Sequence, residues 1–511
     1  MLRKIILIFF IILTPFLFFL SFPKFNQSYL AFLAIIPFYF FITNLKSSKK
    51  VIMASFCIGL LVNLGFFYWI VPTFQMAKIN FFVALISCFL ISAYLTLYWL
   101  VFGLSIYYFR SYYFLLAGIW VILEYLRTYC LSGFPWNLLG YSQWNNLVFI
   151  QSVDFFGVYG LSFLVIIVNF LFCALFNYYH GNELSRCNQA VASLGESTHL
   201  KQKKQIILMV FIIIANLIYG FFRLAQKDKF FKESPTVKIG LLQGNINQYE
   251  KFDNKYLEHI RKEYLGLMDQ NIDLYIWPET AFPYSYKGSI GSFFEGVDLQ
   301  AQIIGSFVVE NGQYFNGAIL LDRDLRKLGT YKKNHLVPFG EVLPFKAFIE
   351  KFLPAVKYVG GLNYGDGYDS LELNGVKFGT SICFETLFGN EIRQFVLKGA
   401  NVLVNISNDA WYLRTSAPYQ HFSFNIFRAI ENRRYLVRAA NTGISAVISA
   451  TGKVLARTSL NEKECLVYEV PLKKGQTIYS LFGDWFVWLN FILVFYFLAV
   501  KYQILRFIFK K

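Results

Sequence analysis

The feature that most constrains this chain is a series of long apolar runs, several close to the ~20 residues a helix needs to cross a bilayer core. The clearest cover 5–22, 28–43, 51–70, 81–109, 112–126, 159–177, 206–222 and 485–500. Some are slightly short, so flanking aromatic residues must complete the span. Hydrophobic residues make up 56% of the 511, and charged residues only 15%, against about 25% charged in an ordinary soluble domain. Much of this surface must therefore face something other than water. The expected architecture is an α-helical transmembrane bundle of about eight spans. Run 5–22 follows Arg3 and Lys4 and could be read as a secretory leader. No small-residue cleavage site follows it and a second apolar run starts almost at once, which favours an uncleaved first helix.

The formal net charge of +17 raises the question of nucleic acid. Many Lys and Arg residues sit in short clusters beside the apolar runs, where they act as topology signals and lipid-headgroup contacts. No basic face on a soluble module accompanies them, so a nucleic-acid partner is not expected. The seven cysteines form no CxxC pair, and four lie inside apolar runs, where Cys behaves as a small hydrophobe.

Lys/Arg bias in short loops orients such a bundle. With a cytoplasmic N-terminus, the inside segments hold Arg3, Lys4, Lys46, Lys49, Lys50, Arg110, Arg186, Lys201, Lys203, Lys204, Lys501, Arg506, Lys510 and Lys511. The outside short segments hold only Lys24, Lys78 and Arg127. This predicts a membrane domain at 1–222, a polar domain at 223–482 on the far (periplasmic) side, and a last span with a basic cytoplasmic tail at 483–511. One membrane loop stands apart. Glu124 and Arg127 lie one helical turn apart, just before Gly133-Phe134-Pro135-Trp136-Asn137. They either form a helix-end ion pair with an aromatic anchor or line a lipid entrance. The stretch Tyr178–Lys204 reads as a polar cytoplasmic linker.

Past Arg223 the texture becomes alternating strands and helices. Strands are expected at 237–244, 274–277, 303–309, 317–321, 328–332, 376–384, 401–405, 444–449 and 465–470. Helices are expected at 253–269, 390–398 and 420–438. That alternation implies an α/β layered fold with both sheet faces covered.

Three strand ends deliver reactive side chains. WPET (277–280) places Glu279 after a buried strand, YKKNHLVPFGE (331–341) supplies Lys333 and Glu341, and ICFE (382–385) places Cys383 with Glu385 two residues on. Each has a bland alternative: a Cys at a strand end is commonly inert, and a Glu or Lys there is commonly a solvated charge. A catalytic thiol needs a base to form thiolate and a cation to hold charge on the attacked carbonyl. Glu279, Lys333 and Cys383 could supply those parts, but spacing alone leaves both readings open.

These segments resemble the nitrilase, or carbon–nitrogen hydrolase, superfamily, whose catalytic set is Glu, Lys and Cys in that chain order. A nitrilase-like domain before the last of eight spans is similar to the bacterial apolipoprotein N-acyltransferase family. GFPWNLLGYSQ (133–143), QGNINQ (243–248), LVPFGE (336–341), ICFE (382–385), NDAWY (408–412), PYQHF (418–422), RAIENRRYLVRAANTG (428–443) and GDW (483–485) carry that resemblance over nearly the whole chain. It implies an αββα sandwich with Glu279, Lys333 and Cys383 catalytic. It also implies supporting or substrate-binding positions at Glu341, Glu385, Phe384, Phe252, Asn316 and Trp411. Two positions depart from the family pattern: Phe384 stands where Tyr is expected beside the nucleophile, and Phe252 where Trp is expected. No metal or cofactor is implied.

The resemblance further implies a multi-pass protein of the bacterial inner membrane, monomeric, with a phospholipid acyl donor and a diacylglyceryl-modified apolipoprotein acceptor. The acyl group would pass through a thioester on Cys383 to the acceptor's N-terminal amine. Two other readings are a membrane-tethered amidohydrolase, in which water resolves the thioester, and a non-enzymatic membrane protein with a degenerate domain.

Overall fold

A computed structural model describes residues 2–186, 192–226, 234–251, 253–268, 271–288, 290–297, 299–343 and 361–502; Phe252 lies outside them. The chain separates into two compact units, residues 1–225 with 484–511, and residues 226–483.

The first unit is helical. Its elements are α1 (Leu2–Ser21), α2 (Ile36–Thr43), α3 (Ser48–Phe67), α4 (Ile70–Met76), α5 (Phe81–Phe109), α6 (Tyr113–Tyr129), α7 (Val153–Arg186), α8 (Ala192–Ala225) and the last helix, Trp485–Lys501. Among the described residues, four helical stretches are long and apolar enough to cross a membrane: 48–67, 81–109, 149–180 and 200–225. The apolar helices at 9–21, 28–43 and 485–501 are shorter.

The run 28–43 is not one regular α-helix. A 3₁₀ turn (Ser28–Phe32) precedes α2, and Pro37 sits in the first turn of α2. The break survives burial because Asn169 of α7 repairs it. Its Oδ1 accepts from the Ile35 amide at 2.9 Å, and its Nδ2 donates to the Ala31 carbonyl at 2.9 Å. Freed backbone groups in an apolar interior need such a partner. The presumed linker 178–204 is also largely helical, since α7 runs to Arg186 and α8 starts at Ala192.

Aromatic interlock holds this unit. Trp99 meets Phe18 and Phe38 edge-on at 5.3 Å, and Trp120 meets Phe102 at 4.8 Å and Trp99 at 5.6 Å. The outer surface is equally apolar: Phe82 is 70% exposed and Phe211 66%. Glu124 and Arg127 both grip the loop that follows them. Glu124 Oε1 accepts from the Trp120 indole at 2.9 Å and the Leu139 amide at 2.7 Å, and Arg127 Nη2 donates to the Trp136 carbonyl at 3.2 Å. Trp136 is buried against Trp69, ring centroids 4.9 Å apart. The adjoining cavity, of about 30 Å³, is lined by Phe18, Asn63, Trp120 and Asn137 among others.

The second unit is a two-sheet α/β sandwich. One sheet holds β1 (Thr236–Gln243), β2 (Leu274–Ile276), β3 (Ser285–Tyr286), β4 (Ala301–Glu310), β5 (Gln313–Leu321), β6 (Lys327–Lys332) and β13 (Glu464–Pro471). Its order is β13-β1-β2-β4-β5-β6, with β3 beside β4. The other holds β7 (Leu371–Leu373), β8 (Val376–Ile382), β9 (Val402–Ser407), β10 (Tyr435–Ala440), β11 (Ala446–Ile448) and β12 (Val454–Arg457), in the order β12-β11-β10-β9-β8-β7. Gln243 stitches the sheets together: its Oε1 accepts from Ser445 Oγ and Thr458 Oγ1, both at 2.7 Å.

The helix expected over 420–438 is overturned in its second half. The helix spans Ala417–Asn432, and Arg433 closes it in the left-handed region (φ 48°, ψ 47°). The chain then becomes β10, pairing parallel with β9. Helical spacing cannot distinguish that buried strand from one more turn of apolar helix.

Candidate active site

The three strand ends converge. Glu279 follows β2 by way of Trp277 and Pro278. Trp277 is fixed by its indole, which donates to Gln302 Oε1 at 2.6 Å, and by its amide, which donates to the Ile303 carbonyl at 2.9 Å. Gly305 of β4 lets this segment come close, because a Cβ there would lie 2.7 Å from the Glu279 Cα. The Glu279 carboxylate takes three donors. Asn316 Nδ2 at 2.7 Å and Lys333 Nζ at 3.4 Å reach Oε1, and the Asn408 amide reaches Oε2 at 2.9 Å.

Lys333 is the first residue past β6, its amide donating to the Asn316 carbonyl at 2.8 Å. Its side chain is wholly buried, with Nζ 2.8 Å from Glu341 Oε2 and 3.4 Å from Glu279. Burial pulls the ammonium pKa down, but Glu341 and Glu279 outweigh it and raise the group above the usual lysine range. Lys332 turns the other way, its Nζ 2.8 Å from Glu310, as alternation along a strand requires. Asn316 Nδ2 bridges the two acids, donating at 2.7 Å to both Glu279 and Glu341. Glu341 also accepts from the Val337 amide at 2.8 Å.

Cys383 follows β8 and opens a 3₁₀ turn, Cys383–Leu387, with φ +52°. A non-glycine residue is seldom left-handed unless its surroundings impose it. Here they do. Glu385 accepts from the Ile382 amide at 2.7 Å, the Tyr331 hydroxyl at 2.8 Å and the Asn334 amide at 2.7 Å. It thus ties the turn at Cys383 to the segment carrying Lys333. Burial pushes the Glu385 carboxyl up to about 7. Arg428 caps the end of the turn, donating to the Thr386 and Leu387 carbonyls at 3.0 and 3.1 Å. Burial, then the charge of Glu279, push the Cys383 thiol up, while Lys333 pulls it down; the net direction is upward.

Of the supporting positions, Asn316, Glu341 and Glu385 belong to this network. The Phe384 ring instead packs internally against His335 and Phe388. Trp411 is 37% exposed, in a 3₁₀ turn spanning Asp409–Tyr412. Residues not foreseen from the sequence complete the site. Buried Lys251 donates to the Glu279 carbonyl at 2.9 Å and to Thr280 Oγ1 at 2.8 Å, and burial lowers its pKa to about 7. Asp409, His421 and Arg438 form a buried cluster behind Cys383. Arg438 had left a signal, a charge within the otherwise apolar LVRAA segment.

Residues 15–171 match the model of the apolipoprotein N-acyltransferase N-terminal domain, and residues 238–479 that of carbon-nitrogen hydrolase. The chain is 32% identical to apolipoprotein N-acyltransferase of Geobacter metallireducens, covering 92% of this chain and 90% of that protein. It is 32% identical to the Rickettsia bellii protein of the same name, over 87% and 84% of the two chains, and 30% identical to that of Haemophilus ducreyi, over 88% of each. With both domains matched and nearly the full length aligned, this chain belongs to the apolipoprotein N-acyltransferase family.

Proposed function

We propose that this membrane enzyme moves a fatty acyl chain from a phospholipid to the N-terminal amine of a diacylglyceryl-cysteine, with Cys383 as nucleophile, Glu279 as base and Lys333 as oxyanion partner. The observation that carries this reading is the buried Glu279–Lys333–Glu341 cluster joined by Asn316 and acting electrostatically on the Cys383 thiol. Glu279 takes the thiol proton as sulfur attacks the acyl ester carbonyl. Lys333 faces the negative oxygen of the tetrahedral adduct. The adduct collapses, the ester C–O bond breaks, and the departing lysophospholipid oxygen receives the proton from Glu279. The acceptor amine then attacks the thioester and gives its proton to Glu279. The amide forms, and the released thiolate recovers that proton. Glu341 keeps Lys333 charged and placed, and Glu385 positions the nucleophile turn.

The Lys/Arg bias supports a cytoplasmic N-terminus and a periplasmic unit 226–483. Reporter fusions at Lys49 and Lys203 should read inside, and one near Asn311 outside. For the chemistry, purified protein mixed with phospholipid alone should gain one acyl mass on the Cys383 peptide. A diacylated lipopeptide should discharge it as an N-acyl product. Cys383→Ala should lose loading by at least about 10⁴-fold. Rapid release of free fatty acid with no gain from the lipopeptide would instead establish a tethered hydrolase.

A further inference from the structure

The left-handed backbone at Cys383 is held on its carbonyl side by a cluster that takes no part in the chemistry above. The Cys383 carbonyl faces His421 Nε2 at 3.1 Å and Asn405 Nδ2 at 3.5 Å. A carbonyl only accepts, so Nε2 carries a proton. The other ring nitrogen, Nδ1, lies 2.8 Å from Asp409 Oδ1. That carboxylate also accepts from Ser407 Oγ at 2.9 Å and from Arg438 Nη2 at 2.7 Å. Asp409 and Arg438 thus fix the imidazole from the side opposite the Cys383 carbonyl. Arg438 Nη2, 3.2 Å from Nδ1, finds its acceptor in Asp409. Burial raises the Asp409 carboxyl, but Arg438 and His421 outweigh it and hold it well below the usual carboxylate range. His421, Asp409 and Arg438 are all essentially solvent-free. The aromatic neighbours of the ring are Tyr412 and Phe424.

We propose that His421, oriented by Asp409, is a positioning residue that grips the Cys383 carbonyl and so keeps the nucleophile's left-handed peptide in the conformation acyl loading requires. The proposal rests on Cys383 being the nucleophile. Its physical content is that a buried N–H, oriented from behind by Asp409, meets the carbonyl of a residue held in the left-handed region. Arg438 fixes the cluster in turn, through Asp409, the Asn405 side chain and the Ile444 carbonyl.

The test uses full-length protein in lipid nanodiscs, with loading of the Cys383 peptide by phospholipid followed by mass spectrometry. His421→Leu should slow the loading rate constant roughly a hundredfold, the scale of a misplaced reacting atom, while leaving KM for phospholipid unchanged. His421→Gln can still donate to the carbonyl and should recover about tenfold of that loss. A merely structural role would lower the melting temperature without this split between kcat and KM and without recovery by Gln. Loading by His421→Leu within threefold of the parent, or equal impairment of the Leu and Gln variants, overturns the proposal. Should His421→Leu fail to fold, ¹⁵N-histidine spectra of the unaltered protein decide. A proton on Nε2 of His421 supports the grip on the Cys383 carbonyl, and a bare Nε2 overturns it. Cys383→Ala is run in parallel. If that variant still loads acyl groups, the nucleophile assignment falls and the positioning role falls with it.

Discussion

The two units differ in how much charge they bury beside their aromatic rings. The helical unit interlocks aromatic rings such as Trp99, Trp120 and Phe102, and its outer surface is as apolar as its interior. The sandwich buries ions: Glu279, Lys333, Glu385, Asp409, His421, Arg428, Glu431 and Arg438 are each less than a tenth exposed. In the first unit one large hydrophobe can often replace another, because dispersion is not directional. In the second, pairs such as Lys333–Glu341 and Arg438–Asp409 place each other, and removing one member leaves the other's charge less compensated. The difference is one of tolerance: packing degrades gradually, whereas a paired charge fails at once.

That contrast can be broken by measurement. The largest stability loss should follow Arg428→Met, which removes the guanidinium 2.7 Å from buried Glu431 and frees two carbonyls of the turn at Cys383. Breaking a buried pair costs about 3–5 kcal/mol, to be read in denaturant or thermal unfolding in detergent. Next, Lys333→Met should cut the acyl-transfer rate about a hundredfold to a thousandfold, whereas Lys332→Met, which loses the Glu310 and Asp366 pairs and the contact with the Phe315 ring, should stay within about threefold. The reverse ranking would exchange the roles of the two lysines.

A subtler effect concerns pH. A carboxyl whose pKa falls on folding stabilises above its unfolded pKa of about 4 and loses that contribution as pH drops through the folded value. The parent should therefore exceed Asp409→Asn in stability at neutral pH, and the gap should shrink on acidification below about pH 4. A gap that widens in acid would mean that Asp409 is not the ionised partner of Arg438 and His421. Smallest of all, Phe211→Leu on the outer face of α8 should change stability by no more than about 0.5 kcal/mol. A loss comparable to that of Arg428→Met would abolish the contrast between the units.

Much of this was legible in the chain. Apolar runs located the helices because lipid leaves no other solution for the backbone. The strand ends at Glu279, Lys333 and Cys383 were readable as candidates, but spacing left them open, and it was the resemblance to the nitrilase superfamily that singled them out. The split in 28–43 was not, since its repair lies with Asn169, far along the chain. The Asp409–His421–Arg438 cluster was hidden for the same reason. Its members come from a turn, a helix and a strand, and only the fold gives them a common address. The boundary at Arg433 was lost because YLVRAA suits a buried strand as well as a helix.

The order of the units along the chain has a consequence for biosynthesis. The last helix, Trp485–Lys501, completes the first unit: Phe497 meets Tyr112 at 4.8 Å, and Trp488 meets Tyr125 at 5.6 Å. Those partners leave the ribosome long before it does. At about 5–20 residues per second, translating residues 226–483 takes on the order of tens of seconds. Throughout that interval α6 presents an open flank to the lipid or to the insertion machinery. A premature stop anywhere in the polar unit therefore also leaves the membrane unit unfinished, giving quality-control proteases two lesions to recognise from one mutation.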